Sequence, residues 1–210
     1  AEPVVCVDEC TNECTEEGET RCDGTVIDTC TPGNDGCLDW VAGTNCADTN
    51  EVCDDNLEPV VCAAPIVCDG QDLESATGEV ASGSNGSESD DFQPGCSGGS
   101  GGRDVCFLWT APDTAGYLID TYGSSYDTVL YVYRITTEIA CNDDAEGLQS
   151  EISLFLQAGD QLVIVVDGYS SSSTGNYMLN IEELAPEAEC TDFVDNDADG
   201  LVDCGDPTTC

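Results

Sequence analysis

Between residues 105 and 181 the chain alternates apolar and polar positions in short runs, the period of two that belongs to strands and not to helices. The clearest runs are 105–110, 117–121, 128–133, 152–156, 161–166 and 177–181. Turn formers separate them at regular intervals, as at Pro112-Asp113-Thr114-Ala115-Gly116, at Ala158-Gly159-Asp160 and across 170–175. Several runs alternate, so one face is expected to meet a core and the other water, which predicts a two-sheet antiparallel sandwich. The Gly- and Ser-rich stretch 82–102 reads as a loop that Cys96 and Cys106 would tie down. It also contains Asn85-Gly86-Ser87, which makes Asn85 a possible glycosylation site.

Residues 1–64 have a different pattern: few apolar positions, many turn residues such as Pro32-Gly33-Asn34-Asp35-Gly36, and the cysteines Cys6, Cys10, Cys14, Cys22, Cys30, Cys37, Cys46, Cys53 and Cys62. So small a core needs cross-links, each adding roughly 2 to 4 kcal/mol by constraining the unfolded chain. Short strands are expected near 25–27 and 38–41, with Trp40 packed over disulfides. The chain thus divides into a cysteine-rich module (1–64), a sandwich (65–185) and an acidic tail (186–210). The predicted fold class is mainly β: a disulfide-rich N-terminal module, an antiparallel jelly-roll-like β-sandwich and a short calcium-binding C-terminal loop.

The sandwich segment carries the residues of a known pattern. Tyr126-Asp127-Thr128-Val129-Leu130-Tyr131-Val132-Tyr133 is followed by Cys141-Asn142-Asp143-Asp144, then Ala158-Gly159-Asp160 before a strand, then Gly175-Asn176-Tyr177-Met178-Leu179. In order and spacing these resemble the bacterial pre-peptidase C-terminal domain, over roughly residues 66 to 183. The resemblance implies a jelly-roll-like sandwich that aids secretion, folding or substrate contact, sometimes with bound calcium, and has no catalysis of its own. No peptidase domain accompanies it here, which lets the module serve as a structural brick.

Charge changes the picture of partners. Against 44 Asp and Glu stand only Arg21, Arg103 and Arg134, with no Lys and no His, for a formal charge of −41. Such a chain repels nucleic acid and anionic lipid, and its natural counterions are metal cations. Most of these carboxylates are expected simply to be solvated surface. The tail is different: Asp195-Asn196-Asp197-Ala198-Asp199-Gly200-Leu201-Val202-Asp203-Cys204-Gly205-Asp206 places alternate acids around a glycine turn, as a hard cation with six to eight oxygen ligands requires. Asp195, Asp197 and Asp199 take the first three ligand positions, Leu201 offers its carbonyl, and Asp203 and Asp206 complete the loop. The final position is Asp where the longer Glu is usual. With no flanking amphipathic helices, the segment resembles the calcium-wrapped repeats of thrombospondin-type extracellular proteins. Asp143 and Asp144, with Asp127 from a neighbouring strand end, form a second candidate Ca²⁺ site, set against the plainer reading of a solvated turn.

The 16 cysteines are an even set suited to an oxidising compartment, so the chain is expected outside the cell. With no CxxC pair and no His, thiolate metal sites are disfavoured. No apolar stretch is long enough to span a membrane, and with no signal-like segment at its head the chain is expected to be a processed form. Nine cysteines in the first segment and three in the last (Cys190, Cys204, Cys210) are both odd, so a bridge must cross a boundary or join two molecules. Cys62 to Cys68 is the plain solution; it leaves the middle set, Cys68, Cys96, Cys106 and Cys141, uneven unless one reaches the tail.

Catalysis is not expected. Ser or Cys nucleophiles have no His or Lys to activate them, and no phosphate-cradling GxxxxGK or HExxH motif occurs. The leading expectation is a self-assembling, calcium-stabilised subunit of a bacterial extracellular filament, matrix or surface layer, whose principal partner is itself. An adhesion or glycan-binding module is the alternative, with Trp109, Tyr122, Tyr126, Tyr131, Tyr133 and Tyr169 as stacking faces. A third reading is an accessory segment of a larger secreted hydrolase.

Overall fold

The structure is a computed structural model and describes residues 12–33, 37–49, 51–54, 60–96 and 101–185, together with Asp195 and Ala198. The chain divides into two compact units, Ala1–Pro65 and Ile66–Cys210. No described helix is long and apolar enough to cross a membrane.

In the first unit, β1 (Thr20–Asp23), β2 (Val26–Pro32) and β3 (Leu38–Asn45) form an antiparallel sheet in that order. A 3₁₀ turn at Cys46–Thr49 leads to the small ladder of β4 (Val52–Asp54) and β5 (Val61–Ala63). Its core is sulfur-rich: Cys46, Cys53 and Val60 are buried, with Cys22, Ile27 and Cys62 packed on them. Cys14–Cys30, Cys22–Cys53 and Cys46–Cys62 join these pieces, and Cys37 is disulfide-bonded as well. Trp40 is half-buried and stands opposite the disulfide-bonded Cys30 in the β2–β3 ladder. Its indole N–H donates to the Glu13 carbonyl, and the Arg21 guanidinium lies 4.4 Å from its ring centroid while also pairing with Asp28.

The second unit is a β-sandwich. One sheet contains β6 (Gln71–Asp72), β8 (Val105–Thr110), β10 (Thr128–Arg134), β11 (Thr137–Asn142) and β13 (Gln161–Gly168) in the order β11-β10-β13-β8-β6. The other contains β7 (Gly78–Ser84), β9 (Ala115–Asp120), β12 (Glu151–Leu156) and β14 (Asn176–Glu183) in the order β12-β9-β14-β7. All pairings are antiparallel except the short parallel contact of β6 with β8. Between the sheets Phe107, Trp109, Leu130, Val132, Leu162 and Ile164 meet Tyr117, Ile119, Ile152, Leu156, Leu179 and Ile181. Trp109 and Tyr117 contact edge to face, with ring centroids 5.1 Å apart.

The runs that predicted strands are strands, but the expectation of one wet face fails for β10 and β13. Their outward residues Val129, Tyr131, Val163 and Val165 are buried beneath Ile66, Cys68 and Phe92, with Cys106 and Cys141 beside them. A chain segment packed across the outer face converts alternation into a continuous apolar run, as in Val129-Leu130-Tyr131-Val132. β7 and β11 were not expected, because Gly78–Ser84 is polar and small and Thr137–Asn142 has few apolar residues; pairing with β14 and β10 makes them strands.

Two disulfides fasten that outer cover, Cys68–Cys106 and Cys96–Cys141. The middle set is therefore paired within itself, and Cys62 bonds Cys46 and not Cys68. Gly70 has no space for a side chain: a Cβ there would lie 1.8 Å from the Cys106 carbonyl oxygen. The predicted disulfide positions Cys6, Cys10, Cys190, Cys204 and Cys210 lie outside the described residues.

Candidate metal centre

Asp127 immediately precedes β10, and Asp143 and Asp144 immediately follow β11. The antiparallel register that sets Leu130 opposite Asn142 brings these ends together at one edge of the sandwich. Each of the three offers a carboxylate oxygen, and those atoms all lie within 4.8 Å of one another. Strand pairing is what makes neighbours of residues sixteen positions apart, in the same way that it aligns cross-strand pairs elsewhere in a sheet.

The backbone under the three acids is fixed by hydrogen bonds. Tyr169 N–H donates to the Asp127 carbonyl at 3.0 Å, the Ser150 hydroxyl to the Asp143 carbonyl, and Glu151 N–H to the Asn142 side-chain oxygen at 3.1 Å. Thr128 N–H reaches the Leu148 carbonyl at 2.9 Å, closing the 143–150 turn onto the strand. By contrast, the buried Oδ1 of Asp143 has no hydrogen-bond partner. An orphaned carboxylate oxygen is costly unless a cation or proton meets it.

Electrostatics agree. Partial burial, then the charge of Asp144, pushes the Asp127 carboxyl up from its ordinary value. Asp143 is pushed up by partial burial first, then by Asp144 and Asp127. No arginine pairs with any of them: the ion pairs among the described residues are Arg21–Asp28 and Arg134–Asp160. The donor set is all oxygen, fixed in backbone and uncompensated in charge, which fits a hard divalent cation such as Ca²⁺. Asp127, Asp143 and Asp144 would hold the ion, with water completing its shell.

Of the tail loop, Asp195 is described; Asp197, Asp199, Leu201, Asp203 and Asp206 lie outside the described residues.

Asn85 corrects the sequence reading. It is fully buried, its amide N–H₂ donates to the carbonyls of Arg103 (2.9 Å) and Ser173 (3.2 Å), and its oxygen accepts from Gly175 N–H (2.9 Å). A nitrogen engaged in this way leaves no space for a glycan in the folded domain. Half of the expected stacking platform is interior: Trp109, Tyr126 and Tyr131 are buried, Tyr122 and Tyr133 are partly buried, and Tyr169 is the exposed member. What sequence reasoning missed is the burial of Asp104 and Asp167 behind the outer sheet face, since nothing local distinguishes them from the other acids.

No family model matches the chain, and no curated protein matches it. Among solved structures, the pre-peptidase C-terminal domain of collagenase from Bacillus anthracis is similar over 56% of this chain and 98% of its own, with 12% identity and a TM-score of 0.39. PliG from Aeromonas hydrophila, a periplasmic inhibitor of g-type lysozyme, is similar over 55% of this chain and 96% of its own, with 12% identity and a TM-score of 0.32. Both likenesses are distant, and the family remains a resemblance.

Proposed function

We propose that this chain is a secreted, calcium-stabilised structural module without catalysis of its own, which joins copies of itself in an extracellular filament or matrix. The observation that carries the calcium reading is the Asp127, Asp143 and Asp144 triad with the unpartnered, buried Oδ1 of Asp143. The disulfides of both units support an oxidising, extracytoplasmic setting. A triad on a sandwich edge can lock two strand ends, and the tail loop is proposed to hold a second ion through Asp195, Asp197, Asp199, Leu201, Asp203 and Asp206. Affinities of about 10⁻⁴ to 10⁻³ M suffice where calcium is millimolar.

Isothermal titration with Ca²⁺ tests the site. The expected result is heat that saturates in this range and is lost for the triad component in Asp143→Asn with Asp144→Asn, while Asp197→Ala with Asp199→Ala removes only the tail component. Equal binding by wild type and the triad variant would overturn the triad as a site. Electron microscopy and sedimentation of the same samples, with calcium and then with chelator, test assembly. Filaments or oligomers that loosen on chelation support it, and a monomer under every condition transfers the proposal to an adhesion module, with glycan binding as its assay.

A further inference from the structure

The outer face of the five-stranded sheet hides two carboxyl groups that the calcium reading does not use. Asp167, on β13, is 2% exposed and Asp104, just before β8, is 6% exposed. Asp104 fastens the covering chain: its Oδ2 accepts N–H bonds from Asp91 (2.8 Å) and Phe92 (3.0 Å), and its own N–H donates to the Ser89 carbonyl (3.1 Å). Asp167 lies beneath. Its Oδ2 accepts from the Tyr131 hydroxyl at 3.2 Å and its Oδ1 from Gly168 N–H at 2.6 Å. Gly102 presses on it so closely that a Cβ would stand 2.3 Å from Oδ1 and 1.8 Å from the Gly168 carbonyl oxygen.

The titratable groups facing this pair are acidic or phenolic. Asp104 and Asp90 face Asp167 from the covering chain, and Tyr131 and Tyr126 from β10 and the turn before it. Asp91 and Asp90 face Asp104, with Tyr133 nearby. Arg103 donates to the Glu88 carbonyl at 2.8 Å and forms no ion pair with either carboxyl. A cavity of about 220 Å³ beside Asp104 is lined by Asp69, Glu88, Asp91 and Asp104 among others, and so adds negative charge. Two buried carboxyls without a basic partner cannot both ionise cheaply.

We propose that the Asp104–Asp167 pair is a proton-operated clasp, which holds residues 88–92 and 101–104 against the sheet while it retains a proton and releases them as it ionises. Burial, then the charge of Asp104, raises Asp167 to about 7, and burial raises Asp104 as well. In the released chain both return to the ordinary value near 3.9. The sign follows: the proton belongs to the clasped state, so clasping is strongest below about pH 4. It weakens as pH rises from there through about 7, by up to roughly tenfold per pH unit for each proton. Release opens the acidic groove and uncovers Phe92 and Tyr131.

Hydrogen exchange on the full chain, with chelator present, reads the clasp at the Asp91 and Phe92 amides. After correction for intrinsic rates, their protection should fall at least about tenfold between pH 4.5 and 6.5. Asp167→Asn, which keeps the shape without the charge, should reduce that change severalfold or more. A wild type with flat protection over this window, or a variant with the full wild-type dependence, overturns the proposal. If the variant fails to fold, the carbon-13 titration of the wild-type Asp167 carboxyl decides: a midpoint near 6 to 7 supports the clasp, and one near 4 overturns it.

Discussion

Replacing Asn85 by Ala would remove three hydrogen bonds at once. Two carbonyls, of Arg103 and Ser173, and the Gly175 N–H would be left facing a small buried void. A stranded buried donor costs about 1–3 kcal/mol and each lost bond about 1 kcal/mol, so the expected destabilisation is about 4 kcal/mol. Asn85→Asp separates the contributions. It keeps an acceptor for Gly175 but turns an oxygen toward two carbonyl oxygens, so its ionised form is disfavoured and its folded pKa lies above the unfolded 3.9. A raised carboxyl pKa means that the Asp variant regains stability in acid and loses it as pH rises from about 4 through the folded value. The assay is urea unfolding followed by Trp109, in a Trp40→Phe background so that the sandwich alone reports. An Ala variant within about 0.5 kcal/mol of wild type, or an Asp variant that parallels wild type at every pH, would refute the reasoning.

Two further outcomes test the fold. Ile135 begins the turn between β10 and β11 at φ 58°, a left-handed conformation that a β-branched residue adopts at a cost of about 1–2 kcal/mol, so Ile135→Asn should raise the sandwich's thermal midpoint by a few degrees. An unchanged or lowered midpoint would show that packing by Ile135 outweighs the strain. Reduction should abolish the cooperative transition of the first unit, followed by Trp40 fluorescence, because its disulfides span separations of 16, 31 and 16 residues around a core of little besides cysteine. The sandwich should keep its own transition in reductant, since Trp109, Tyr117 and their neighbours provide an apolar core. A first unit that still unfolds cooperatively when reduced would contradict the dependence on cross-links.

Local pattern was enough to place β8, β9, β10, β12, β13 and β14, because a period of two is a property of neighbouring residues and needs no partner to be visible. The cysteine count likewise pointed to an oxidising compartment without a structure, in keeping with the disulfides found in both units. Tertiary structure decided what depends on residues distant in sequence. The strands Gly78–Ser84 and Thr137–Asn142 exist because β14 and β10 offer them ladders, and Cys62 finds Cys46 and not Cys68. Asn85 carries a glycosylation pattern yet lies buried, since a tripeptide does not reveal that loops around 103 and 173 close over it. Asp127, Asp143 and Asp144 were legible as acids near strand ends, but only the register of β10 with β11 set them within 4.8 Å. Asp104 and Asp167 look like any other carboxylates in this chain. It is the cover packed across the sheet that removes them from water, and burial is a property of the surroundings that no residue carries in its own identity.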